Sequence, residues 1–144
     1  MIKLLLDSFV KILKFFPPEL AHSITINALK QFKYNLNSVD DPILYQHLIG
    51  LDFPNPLGLA AGFDKNAEVV KSMFSLGFGF VEVGTITPLP QKGNQKPRIF
   101  RLDQDKAIIN SLGFNNKGSK TVKKNISKLK KNFNQNRIIG VNLG

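Results

Sequence analysis

The chain has 144 residues, is 42% apolar with twelve Phe, and contains no Cys. That length and composition suit one globular domain able to bury a core, and the missing thiols exclude disulfides and thiolate metal sites. The formal charge of +10 is local: residues 1–105 hold eleven basic and ten acidic groups, residues 106–144 nine basic and none acidic.

The opening segment MIKLLLDSFVKILKFF carries polar residues at Lys3, Asp7, Lys11 and Lys14, a spacing that predicts one polar stripe on an otherwise apolar helix. The apolar run is too short and too interrupted to span a bilayer, which needs about 20 residues, and it lacks the features of a secretory leader. Pro17 and Pro18 end it, with Pro18 suited to the first turn of a second helix over 18–33 whose apolar face holds Leu20, Ala21, Ile24, Ala28, Leu29 and Phe32. Two such helices cannot stand alone. Either they pack on the domain that follows, or their open face lies on a membrane with lysines at headgroup level.

A polar connector (34–50) leads into a strand over 57–62 (LGLAAG), a helix over 67–76 and a strand over 80–87 (FVEVGTIT). The glycines of LGFGF precede a strand and lack a third partner, so they are a turn and not a dinucleotide fingerprint. PRIFRL and AIIN predict a hairpin, 117–131 a helix, and RIIGVNLG (137–144) a last strand. The lysines of 117–131 form either a solvated helix face or a phosphate-binding surface. The Arg and interleaved aromatics of a dedicated nucleic-acid reader are missing, so no specific nucleic acid is expected. With two His, His22 and His47, and no carboxylate cluster, no metal site is expected either.

Strand–helix–strand alternation argues for a parallel α/β sheet, open or closed. Only three parallel strands appear, and the last ends the chain with an unprotected edge, so the chain is expected to be a fragment. In barrels of this kind ligands sit at the C-terminal strand ends. Those ends are Ala61–Gly62–Phe63–Asp64–Lys65, Gly84–Thr85 and Asn142. Small residues on the first let a flat ring approach the main chain, and Lys65 places a positive charge beside a ring that gains electrons. An Asp–Lys turn pair beside ordinary glycines is the structural alternative.

NPLGLAAGFDKNAE, GFGFVEVGTITPLPQKGNQKPRIFRL and AIINSLGFNNKG, in that order, closely resemble dihydroorotate dehydrogenase, and the two-helix extension resembles its membrane-associated, quinone-using class. The match runs from about residue 17 to Gly144. The resemblance implies a (β/α)8 TIM barrel, with the first three or so strands present (37–144) after a two-helix membrane-associating segment (1–36). It implies oxidation of dihydroorotate to orotate in pyrimidine biosynthesis, with FMN as cofactor and a membrane quinone as acceptor. By position, Ala61, Gly62, Phe63, Asp64, Lys65, Thr85 and Asn142 correspond to FMN contacts. Lys65, Asn110, Ser111, Leu112, Gly113 and Phe114 correspond to the substrate site, where many relatives carry Arg in place of Ser111. His22 and Arg101 correspond to the quinone site. Read by themselves, His22 is a helix-surface histidine, Arg101 a hairpin surface charge and Asn110 a hairpin-end cap. The catalytic base of this class, a serine on a loop after the fourth strand, and the phosphate-binding segments of the last two strands are expected beyond Gly144. Lys65 therefore assists, and the chain alone is expected to be inactive. Peripheral association through residues 1–33 with the cytoplasmic face of a bacterial cell membrane follows from the same resemblance. A basic surface-binding module for nucleic acid or anionic lipid, and a truncated non-catalytic scaffold, are the competing readings.

Overall fold

Residues 2–31, 40–130 and 137–144 are described by a computed structural model. Two helices, α1 (Ile2–Leu13) and α2 (Pro18–Gln31), come first and flank the proline turn expected there. Residues 32–39 and 131–136 lie outside the described residues, and with them Phe32 and most of the predicted connector's start.

The rest of that connector is not featureless. Pro42–Leu44 forms a 3-10 turn whose start is capped by Asp41, its carboxylate accepting from Ile43 N at 3.0 Å. Strands β1 (Gln46–Leu48) and β2 (Leu51–Phe53) then pair antiparallel. Their two-residue turn, Ile49–Gly50, takes φ values of 54° and 71°. Positive φ at both turn positions matches the twist of a hairpin. Isoleucine in the first of them hides the turn from a reading based on Asn-Gly or Gly-Gly pairs.

The central sheet is parallel, in the order β3 (Gly58–Leu59), β4 (Phe80–Ile86), β7 (Ile138–Leu143). The predicted strand over 57–62 shrinks to two paired residues because the chain turns away at Ala60. Helix α3 (Val70–Ser75) starts three residues later than predicted: Ala67 has φ 54°, and the Asp64 carboxylate holds the amides of Glu68 and Val69 outside the helix. Hairpin β5 (Ile99–Leu102) and β6 (Ala107–Asn110) and helix α4 (Gly118–Lys130) fall where the pattern placed them.

Strand β4 divides the fold into two sides. Val81, Val83 and Ile86 are buried against Val70, Met73 and Phe74 of α3, Val122 of α4 and Ile26 of α2. Along α4, Val122, Ile126 and Leu129 meet this core at intervals of four and three, so Lys120, Lys123, Lys124 and Lys128 face water. The buried side of α2 keeps part of the predicted face, with Ala21 buried and Leu29 packed on the core, but it also takes in Ile26 and leaves Leu20 exposed. The register of β4 against β7 shifts between Val83 and Ile86. Glu82 and Thr85 consequently lie on the same side, away from the core, where both bond Asn142.

Buried Asn55 braces the start of the sheet. Its amide donates to Asp40 Oδ1 (2.7 Å) and Gly77 O (3.0 Å), and its Oδ1 accepts from Leu57 N (2.9 Å). A Cβ on Gly79 would lie 2.3 Å from Asn55 O. Gly79→Ala is expected to destabilise the chain by about 1–3 kcal/mol, the usual range for forced overpacking. The urea midpoint measures this, and an unchanged midpoint would contradict so close an approach.

Candidate active site

The loop after β3 is laced to the end of β4: Gly62 N donates to Gly84 O (2.8 Å) and Gly84 N to Asp64 O (3.3 Å). Gly62 has φ 111°, a conformation that favours glycine, and a Cβ there would meet nothing within 4 Å. The main chain at this strand end therefore borders open space. Beside it, Lys65 Nζ donates to Gly62 O at 2.6 Å. Burial lowers the pKa of this ammonium, with the Arg98 charge adding to the effect and Glu19 and Asp64 opposing it.

Asp64 faces the other way. It is 1% exposed, and its two oxygens each accept a backbone N–H at 2.8 Å, from Glu68 and Val69. Burial raises its pKa against the pull of those bonds. The side chain builds the turn into α3, so only its main chain reaches the strand end.

At the neighbouring strand ends, Thr85 Oγ1 donates to Asn142 Oδ1 (2.6 Å), and Asn142 Nδ2 donates to Glu82 Oε1 (3.1 Å). Glu82 was missed in the sequence; its signal was a lone carboxylate alternating with buried Val81 and Val83.

The segment Asn110–Phe114 leaves β6 through an exposed turn in which Asn110 Oδ1 accepts from Leu112 N at 3.4 Å. Gly113 and Phe114 take φ values of 70° and 52°, and the Phe114 ring is exposed. Buried Asn116, which sequence reasoning passed over, ties this segment to β4. Its amide donates to Thr87 Oγ1 (2.9 Å) and Phe114 O (2.7 Å), while its Oδ1 accepts from Gly118 N (2.8 Å).

Near this strand end, polar side chains join the helices to the scaffold. His22 Nε2 lies 2.7 Å from Phe63 O, the arrangement of a neutral imidazole donating to a carbonyl, and its ring stands edge-on to Phe63 at 5.3 Å. Burial lowers its pKa, which favours that neutral form. Arg101 donates to the carbonyls of Lys14 (3.0 Å), Phe16 (2.8 Å) and Leu13 (3.4 Å), capping the C-terminal end of α1. Glu19, in the first turn of α2, binds buried Arg98 at 2.6 Å. A cavity of about 400 Å³ brings together His22, Phe63, Lys65, Leu112 and Asn115, but not Thr85, Asn142, Asn110 or Arg101. Among the described residues no three His, Cys, Asp or Glu side chains group to hold a metal.

The hydrogen bond from Arg98 holds the Glu19 carboxyl below the ordinary glutamate range, outweighing burial. A carboxylate whose folded pKa is depressed contributes stability above its unfolded pKa and loses it as pH falls through the folded one. Glu19→Gln is therefore expected to be less stable than the native chain at pH 7, the difference shrinking as pH falls below about 4.3 and through the depressed folded pKa. Acid titrations of the two proteins check this; a difference that stays constant as the pH is lowered would mean that the ion pair is not its source.

The family model for dihydroorotate dehydrogenase matches residues 43–144. A curated dihydroorotate dehydrogenase (quinone) from Mesorhizobium japonicum is 53% identical over 135 residues, covering 93% of this chain and 37% of that protein. One of the same description from Rhodopseudomonas palustris is 48% identical over 139 residues, covering 96% of this chain and 37% of that protein. A crystal structure of DHODH from Eimeria tenella in complex with ferulenol superposes with a TM-score of 0.79 at 49% identity, covering 88% of this chain and 35% of that one. The chain thus spans little over a third of the length of the relatives it matches. On a family match over residues 43–144 and about half-identical relatives along most of its length, the chain belongs to the dihydroorotate dehydrogenase family.

Proposed function

We propose that these residues serve a quinone-dependent dihydroorotate dehydrogenase, with β3, β4 and β7 as the first parallel strands of a (β/α)8 barrel that holds FMN. The observation that carries this reading is the open main chain at Gly62 with Lys65 beside it, next to the ends of two further parallel strands. The residues fit a flat heterocycle with a polar edge: the main chain of Ala61–Phe63 for the ring face, and the Thr85 hydroxyl and Asn142 amide for its edge. When bound, FMN would supply the acceptor for the hydride, and with it the two electrons, that leaves dihydroorotate. Lys65 keeps a half-buried positive charge at that strand end, where it stabilises developing negative charge and receives the substrate carboxylate. The Asn110–Phe114 segment supplies the other side of the substrate pocket. Asn110 carries both donor and acceptor edges, as pyrimidine recognition requires.

The same reading gives the helices a surface role. Phe15, Phe16 and Leu20 at the proline turn and Phe100 and Ile108 on the hairpin are exposed apolar side chains. No helix among the described residues is long and apolar enough to cross a membrane. We infer peripheral attachment at the cytoplasmic face of the cell membrane, with quinone entering beside α1 and α2 towards His22 and Arg101.

A chimera tests the whole reading. Residues 1–144 are joined to the remaining length of the Mesorhizobium relative, and the product should purify with a flavin spectrum that dihydroorotate bleaches without oxygen. A colourless product, or a flavin that dihydroorotate leaves oxidised, would reject it. The basic face of α4 is expected to bind duplex DNA only weakly at low salt and not at physiological salt, since its lysines offer charge without base-reading groups. Retention of one specific sequence at physiological salt would reverse that.

A further inference from the structure

Arg98 is 5% exposed and holds two parts of the molecule that are far apart in sequence. On one side, its Nη2 and Nε donate to the two Glu19 oxygens at 2.6 and 3.3 Å. On the other, its Nη1 donates to the carbonyls of Lys92 (2.7 Å), Asn94 (2.8 Å) and Leu112 (3.5 Å). Its own carbonyl accepts from Ser111 N at 2.9 Å. Asn94 completes the lacing, its side chain donating to Ser111 O (2.7 Å) and its N–H to Leu112 O (3.1 Å). Every one of these bonds on the 111–112 side is to main chain, so they set the path of the segment and leave its side chains free. Glu19 and His22 are three residues apart and so share a face of α2. The same guanidinium therefore fixes the seat of that helix.

We propose that Arg98 is a positioning residue for the Asn110–Phe114 segment, and that Glu19 sets its hold, so that the seat of α2 and the shape of the substrate segment vary together. The proposal rests on the substrate reading of that segment given above. Lysine cannot substitute, because one ammonium cannot present a fork to a carboxylate and also serve carbonyls on its far side. Lys96 also approaches Glu19, at 3.4 Å, but it is largely in solvent and touches none of the carbonyls that Arg98 holds. It provides the control.

Two measurements test the link. In the 144-residue chain, Glu19→Gln and Arg98→Lys should speed amide hydrogen exchange at Ser111 and Asn94 on the order of tenfold, by local opening, while Gly62 changes little. In the chimera, the same substitutions should raise KM for dihydroorotate about tenfold with a smaller change in kcat, the mark of weakened binding. Lys96→Ala should do neither. Exchange that is unchanged at Ser111 and Asn94, or raised equally throughout, overturns the proposal, as does faster exchange with an unaltered KM. If dihydroorotate fails to reduce the unsubstituted chimera, the functional reading fails instead, and the exchange pattern still decides whether Arg98 and Glu19 hold the segment.

Discussion

Lys65→Ala in the chimera is expected to lower turnover by roughly 10²–10³-fold, the range found when one preorganised group facing developing charge is removed. Thermal stability should fall far less. The geometry explains the asymmetry: the ammonium's hydrogen bond is to Gly62 O at the open strand end, so its removal leaves no buried carboxylate unpaired. The acidic groups around it have other partners, Asp64 in the turn amides and Glu19 in Arg98. A pH profile gives a second check. Because burial lowers the Lys65 pKa, any step that needs the cation should fail on the alkaline side at a pH below the ordinary lysine range, and Lys65→Arg should move that limb upward. Normal turnover in Lys65→Ala would remove this residue from the reacting site.

Removing residues 1–16 from the chimera should release it from vesicles and abolish reduction of a long-chain quinone, while dihydroorotate still bleaches the flavin. The cut is placed before Pro17 because the two helices are held differently. Helix α2 contributes Ile26 to the core, and its Leu29 carbonyl accepts from Ser72 Oγ at 2.7 Å, so deleting 1–33 would open the interior. The end of α1 is held through main-chain carbonyls by Arg101, on the surface. Attachment through its apolar side should resist salt and yield to detergent. Quinone reduction at the intact rate after the deletion would leave α1 a packing element only.

What could be read from the sequence had a physical basis in each case. Helix α4 was legible because Val122, Ile126 and Leu129 repeat with its turn, and β4 because Val81 and Val83 alternate. The hairpin β1–β2 was not, because its turn relies on Ile49 at positive φ, against that residue's preference. The strand-end residues Gly62 and Lys65 stood out through composition, small residues running into a charge. Thr85 and Asn142 did so only by their place at strand ends. The side chains that brace the site did not stand out. Arg98, Asn116 and Glu82 work through partners tens of residues away, and no local pattern announces a contact such as Arg98 with Glu19 across 79 positions. Asp64 shows the converse: a charge beside a lysine drew attention, and the fold turned it inward.

The register shift in β4 has a consequence for which substitutions this strand will tolerate. Alternation carried straight through FVEVGTI would place Thr85 with Val81 and Val83, on the side that admits only apolar groups. The shift at Gly84–Thr85 steps the apolar positions by two from 81 to 83 and then by three to 86. A saturation scan should show that broken rhythm, with charged residues rejected at 81, 83 and 86 and accepted by the fold at 82 and 85. Deleting Gly84 should close the shift, leaving Val81, Val83 and Ile86 inward in strict alternation and Thr85 outward, directly opposite Asn142, with the residues before Val83 where they are.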